Sequence, residues 1–272
     1  MYEQPLLPDD LACRIVAVSP LSGGLSNRCW KLTDSNGKHL VWRPVSIASD
    51  IFGVCRQQEL AAQTIAAKAG LSPAPVALYE QGLLVDFADG EVCEPDSLSQ
   101  EEVLTLLGKV HNLCLPPFVF NLKSRCLHYW NHLPESVKSR KLKRLHNQMQ
   151  NAVLPKSSFI ALCHHDFGFY NLIREPGNHL KVIDWEYSSA GDACLDVVLC
   201  AVANGYDVKE TVEKYCLIQG VADKKEWIER ALKWLPFVQY MGLLWYLLGD
   251  MLYSGTLYKE RAYAMLEQLH KG

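Results

Sequence analysis

The chain has 272 residues, 49% of them hydrophobic and 21% charged, with a formal net charge of −3. That size and balance exclude a disordered chain and leave room for two lobes with cores of their own, and the acidic balance excludes a dedicated nucleic-acid binder. Ten cysteines occur without a single Cys-x-x-Cys pair, which sets aside a zinc ribbon or a thioredoxin-type site.

Residues 1–10 carry acids and prolines and no basic stretch ahead of an apolar run, so no secretory signal is expected. With reduced thiols, this points to the cytoplasm. Residues 28–43 read as two strands around Asp34-Ser35-Asn36-Gly37, because Asn-Gly between apolar runs marks a hairpin. Just upstream, Leu21-Ser22-Gly23-Gly24-Leu25-Ser26-Asn27 offers glycines and free amides. Gly23, Gly24 and Ser26 there are candidate phosphate contacts. Residues 56–69 read as a helix that stops at Gly70, with Pro73 and Pro75 beyond the break. Residues 76–79 and 83–87 read as short strands. A small antiparallel sheet carrying one helix therefore occupies residues 1–89.

After Asp89-Gly90 the pattern becomes helical. Ser99 and Glu102 form a capping box, and Val103, Leu106, Leu107 and Val110 follow at helical spacing. Residues 90–272 are expected to form a mostly helical second lobe. His128 and His132 are four apart, but Tyr129 stands where a zinc protease needs glutamate, so a packed or surface pair is expected. The basic run from Lys138 to Arg144 reads as a solvated helix face. The apolar stretch Leu235–Leu252 is broken by Pro236, Gln239 and Asp250 and reads as a buried helix, not a membrane span.

The chemistry is concentrated in His164-His165-Asp166-Phe167-Gly168-Phe169-Tyr170-Asn171, followed by Val182-Ile183-Asp184-Trp185-Glu186. The pattern H-x-D-x-x-x-x-N, then an aspartate after an apolar pair, suits phosphoryl transfer from ATP. One carboxylate deprotonates the attacking hydroxyl, while an amide oxygen and a second carboxylate hold Mg²⁺. In the second hairpin strand, Arg43 stands where a kinase-like lobe carries a phosphate-binding lysine, and it can pair with Glu59 on the following helix.

On His164, Asp166, Asn171, Ile183-Asp184-Trp185-Glu186, Gly191-Asp192 and Leu195-Asp196, the chain resembles the aminoglycoside phosphotransferase and choline kinase superfamily. The Ile-Asp-Trp-Glu-Tyr run is especially similar to choline, ethanolamine and bacterial thiamine kinases. The resemblance implies an α+β, protein-kinase-like two-lobe fold. It also implies Asp166 as the catalytic base, His164 as a support for its loop, and Asn171 and Asp184 as Mg²⁺ ligands. Adenine would meet the backbone at a hinge around Leu84, Val85 and Phe87. Two departures stand out: Arg43 replaces a usual lysine, and His165 a common glycine.

Carboxylates and aromatics downstream of the motif suit a small cationic alcohol, because ring faces attract positive charge. Glu186, Trp185, Asp192 and Trp245 are the candidate substrate contacts. Thiamine is the expected acceptor, with choline or ethanolamine as the alternative and an aminoglycoside after them. A pseudokinase serving as a binding or scaffold protein is the alternative outside enzymes, and the intact Asp166, Asn171 and Asp184 argue against it. No nucleic-acid or membrane partner is expected, and the sequence leaves the oligomeric state open.

Overall fold

Alternating apolar residues and a glycine-bearing turn build the first sheet. A computed structural model describes residues 5–21, 29–95, 97–157, 159–253 and 256–271. A short helix α1 (Asp9–Ala12) leads into β1 (Ile15–Pro20), β2 (Trp30–Asp34) and β3 (His39–Pro44). The β2–β3 turn closes as its sequence demands: Asp34 Oδ1 accepts the amides of Asn36 and Lys38, each at 2.8 Å, and Gly37 takes the left-handed region at φ 81°. Helices α2 (Ile47–Ile51) and α3 (Arg56–Lys68) follow, then β4 (Pro75–Tyr79) and β5 (Gly82–Asp86). The strands form one five-stranded antiparallel sheet in the order β1-β2-β3-β5-β4. Trp30, Leu32, Leu40, Trp42 and Leu84 make a small core of their own on one face of it, closed by Leu11.

The helix read at residues 56–69 is α3, and Gly70 ends it at φ 75°. Strand β1 was absent from the sequence reading. It is tied down by its register with β2, Val18 opposite Leu32, and not by a local signal.

Beyond β6 (Glu91–Val92) the chain is mostly helical: α4 (Gln100–His111), α5 (Leu122–His132) and α6 (Arg140–Asn151). Ser99 and Glu102 make both halves of the expected capping box. Then come β7 (Ile160–Cys163), a 3₁₀ turn (Phe169–Asn171), β8 (Leu172–Glu175), β9 (His179–Val182) and β10 (Ser189–Asp192). Helices α7 (Ala193–Asn204), α8 (Val208–Gln219), α9 (Lys224–Leu252) and α10 (Leu257–Lys271) complete the chain. Pairing β6-β8-β9 and β10-β7 makes two small sheets that clamp both ends of the H-x-D-x-x-x-x-N loop.

The stretch Leu235–Leu252 lies within α9, whose Phe237, Tyr240, Leu243, Leu244 and Leu248 are buried against the helical core. Helix α9 starts earlier than expected, at Lys224, so Trp227 and Trp234 belong to the same helix as the aromatics after Pro236. No helix among the described residues is long and apolar enough to cross a membrane.

The larger core does not stop at residue 90. Phe52, Ala62 and Ala66 are buried in it with the C-terminal helices. Phe52 lies near Trp245 and Tyr129, at ring-centroid distances of 5.3 and 6.5 Å. Arg125 of α5 donates to the carbonyls of Phe52 and Gly53 at 2.7 and 2.8 Å, and His128 Nε2 bonds the Asp50 carbonyl at 2.9 Å. The segment between α2 and α3 is thereby fastened to the helical half. His128 thus acts as a hydrogen-bonding group, and His132 Nδ1 bonds the His128 carbonyl at 2.9 Å.

Candidate active site

Strand β7 delivers the loop that carries Asp166. Helix α7 fixes that loop from behind: Asp196, fully buried, accepts the backbone amides of His164 and His165 at 2.8 and 2.7 Å. His111 bonds the same carboxylate at 3.0 Å and is itself bonded by the Tyr215 hydroxyl at 2.6 Å. Burial alone would raise the Asp196 pKa, but these partners outweigh it and hold the carboxyl at about 2. His164 reaches across to the Ile183 carbonyl at 3.0 Å and so ties the Asp166 loop to the Asp184 segment. His165 sits at φ 63°, in the left-handed region where glycine is at ease, and its ring is held by the Tyr187 carbonyl at 3.0 Å.

Asp166 is half-buried. The Tyr170 hydroxyl donates to its Oδ1 at 2.6 Å, and Asn171 Nδ2 donates to its Oδ2 at 3.1 Å and to its carbonyl at 2.9 Å. Burial pushes the Asp166 carboxyl up from 3.8 to about 7, against the pull of the Tyr170 bond, and the charges of Asp184 and Glu186 add to the rise. A carboxylate poised near neutral pH is suited to general-base work. Because the Asn171 nitrogen is committed to Asp166, its oxygen is the atom left for a cation.

Asp184 also lies in the left-handed region, at φ 62°, which turns its carboxylate away from the core that Trp185 enters. Arg43 binds that carboxylate, forms a close ion pair with Glu59, and meets Glu186 at 3.1 Å. Arg56 pairs closely with Glu59 and lies 3.5 Å from Glu186. Among the described residues two cations thus face three carboxylates, and Asp184 is the most exposed of the five. Adding Asp166 and the Asn171 oxygen gives an all-oxygen donor set with surplus negative charge. That is the chemistry Mg²⁺ takes.

The structure rearranges the other expected contacts. Trp185 is buried in the helical core with its indole N–H on the Val182 carbonyl at 3.0 Å, so it cannot line a substrate pocket. Glu186, 2% exposed, is taken up by the two arginines. Asp192 caps α7 through the Cys194 amide at 3.0 Å and accepts the Trp234 indole N–H at 2.9 Å. Asp207 likewise caps α8. These acids hold the fold and are not available to pair with a substrate cation.

Trp245 neighbours Tyr187, whose carbonyl holds His165. It is half-buried, donates to the Tyr187 hydroxyl at 3.1 Å, and packs edge-on against Tyr246. Leu84 and Val85 lie inside β5 with β3 on one side and β4 on the other, so the ladder takes their backbone groups. The Phe87 amide is taken as well, by the His39 carbonyl at 3.4 Å, so a backbone donor for a base starts beyond Phe87, past the end of the strand. Gly23, Gly24 and Ser26 lie outside the described residues. Two participants escaped the sequence reading. Arg56 carried a signal in its i, i+3 spacing to Glu59. Tyr170 lay inside the quoted motif and had none.

A family model of choline/ethanolamine kinases matches residues 18–233, and the chain belongs to that family. Thiamine kinase of Escherichia coli (strain SMS-3-5 / SECEC) is 24% identical over 252 residues, spanning 89% of this chain and 88% of the relative. Among solved structures, choline kinase LicA from Streptococcus pneumoniae superposes with a TM-score of 0.76 at 16% identity, covering 97% of this chain and 96% of that one. The GDP complex of aminoglycoside 2′-phosphotransferase-IIIa gives a TM-score of 0.60 at 15% identity, with 93% and 92% covered. The protein-kinase-like α+β fold expected from the sequence is thereby established.

Proposed function

We propose that this protein is an ATP-dependent kinase of a small cationic alcohol, with thiamine the preferred acceptor. The observation that carries the reading is the geometry at Asp166. The carboxylate is held by a rigid loop, carries a pKa near neutrality, and lies beside an amide oxygen and a second carboxylate suited to Mg²⁺. Asp166 takes the proton of the attacking hydroxyl. The oxygen so freed attacks the γ-phosphorus, and the bond to the ADP oxygen breaks. Mg²⁺, held by Asn171 and Asp184, would neutralise charge on the phosphates. Arg43 keeps Asp184 in place through its fork of donors. The backbone beyond Phe87, past the end of β5, is offered to adenine.

The acceptor assignment rests on two supports. Half-buried Trp245 and Tyr246 pack edge to face with centroids 5.1 Å apart, backed by the buried Tyr258, and ring faces of this kind attract a fixed cation. The thiamine kinases similar to this chain align with most of its length. Choline or ethanolamine is the second reading, supported by the family match. The test is ADP release with thiamine, choline, ethanolamine, homoserine and kanamycin at equal concentration. Fastest turnover of thiamine is expected. Fastest turnover of homoserine, which carries no net charge, would remove the cation argument, and fastest turnover of kanamycin would remove the claim of a small acceptor.

A further inference from the structure

Asp166 is capped on both oxygens. Asn171 holds Oδ2, and the Tyr170 hydroxyl holds Oδ1 at 2.6 Å. The two caps differ in kind. Asn171 is buried and also bonds the Asp166 carbonyl, so it is fixed to the loop. Tyr170 is 45% exposed and reaches the carboxylate from the solvent side. Its ring lies across Gly168. A Cβ on that glycine would stand 2.2 Å from Tyr170 Cε1 and 2.4 Å from Cζ, so the pose exists only because residue 168 has no side chain. Gly168 itself has φ −95°, which any residue adopts, so it is the ring and not the backbone that calls for glycine.

An alcohol or a water can be deprotonated by Asp166 only by donating to one of its oxygens, and Oδ1 is the one held by the exposed cap, Oδ2 the one held by the buried Asn171. We infer that Tyr170 is a positioning residue that covers the acceptor-facing oxygen of Asp166 and yields it to the acceptor alcohol, so that water is disfavoured as phosphoryl acceptor. This rests on the phosphotransferase reading above. With the cap in place, a lone water must break a charge-assisted hydrogen bond without other contacts to offset the loss. A bound alcohol offsets it with the rest of its surface. A bond of this class corresponds to about a ten- to hundredfold bias. When water does react, its oxygen attacks the γ-phosphorus, the bond to ADP breaks, and its proton passes to Asp166, giving ADP and phosphate.

The test uses the full chain with Mg²⁺-ATP and two variants. Tyr170→Phe removes the hydroxyl and keeps the ring. Gly168→Ala keeps the hydroxyl and pushes the ring aside. ADP release is measured without acceptor, and with thiamine and choline, together with KM for each acceptor. Both variants are expected to raise acceptor-free ADP release by about tenfold or more, to lower KM for the acceptor, and to lower the yield of phosphorylated alcohol per ADP. A role for Tyr170 in merely stiffening the loop would lower all rates together. Flat acceptor-free ADP release in both variants, or a raised acceptor KM in Tyr170→Phe, overturns the inference. Transfer by the wild type with flat variants refutes the cap alone. A wild type that phosphorylates no alcohol refutes the kinase reading, and flat variants would then refute the cap as well.

Discussion

Replacing Arg43 by methionine removes, of the two arginines the described residues set against Glu59, Glu186 and Asp184, the one that reaches all three carboxylates. The side chains of Glu59 and Glu186 are 0% and 1% exposed, so neither can recover hydration without opening the fold. Methionine fills the space of the arginine stem, which isolates the charge from a cavity effect. Removing one partner of a buried pair costs about 3–5 kcal/mol, because the other charge stays buried without its partner. Against a total stability of about 5–15 kcal/mol, that is a large share. The assay is urea unfolding followed by tryptophan fluorescence and circular dichroism, with the free energy taken by linear extrapolation. The double variant Arg43→Met, Glu186→Gln is expected to recover part of the loss, since it removes one of the buried carboxylates that Arg43 meets. Arg43→Lys is expected to fall between, because an ammonium restores charge but not the fork that reaches three carboxylates. A loss below about 1 kcal/mol in Arg43→Met, the range of an exposed pair, would refute the reasoning.

Other outcomes are equally specific. Asp166→Ala should retain nucleotide binding by calorimetry while transfer falls by about 10²–10⁴-fold; near-normal turnover would remove Asp166 as the base. Asn171→Ala and Asp184→Asn should each raise the Mg²⁺ concentration needed for half-maximal rate, and titrations that overlay the wild type would remove both as metal ligands. Arg43→Lys should raise the KM for ATP, and an unchanged KM would confine Arg43 to stability. Burial lowers the pKa of both His164 and His165 from 6.5. A base depressed in the folded state favours folding above its unfolded pKa and loses that contribution as pH falls through the folded value. In the Asp166→Asn background, which removes the opposing proton uptake of the raised Asp166 carboxyl, thermal stability should therefore begin to decline as pH drops below about 6.5, and a flat profile between pH 7 and 5 would contradict this.

Local signals were the legible ones. Asn36-Gly37, Gly70 and the Ser99/Glu102 box act within a few residues of themselves, and each appears in the fold as its sequence demanded. The motif residues Asp166, Asn171 and Asp184 also converge, because β7 and the paired β8 and β9 place them by short connections. What stayed hidden depends on direction and on distant partners. The sequence puts Trp185 next to Asp184, but the left-handed turn at Asp184 sends the two side chains apart, one to the site and one to the core. Asp192 looks like a spare carboxylate until Trp234, on a helix far along the chain, takes its free oxygen. Glu186 is claimed by arginines from β3 and α3. Strand β1 has nothing local to announce it, and only pairing with β2 makes it a strand.

The central claim is that Asp166 directs the γ-phosphoryl group of ATP onto the hydroxyl of a small alcohol. The most direct measurement is mass spectrometry of the products formed from ATP, Mg²⁺ and thiamine or choline by the wild type and by Asp166→Asn. The account predicts a phosphate monoester of the alcohol, thiamine monophosphate foremost, equal in amount to the ADP formed and nearly absent with Asp166→Asn. No phosphorylated alcohol from either acceptor, or equal yields from the two proteins, would contradict it.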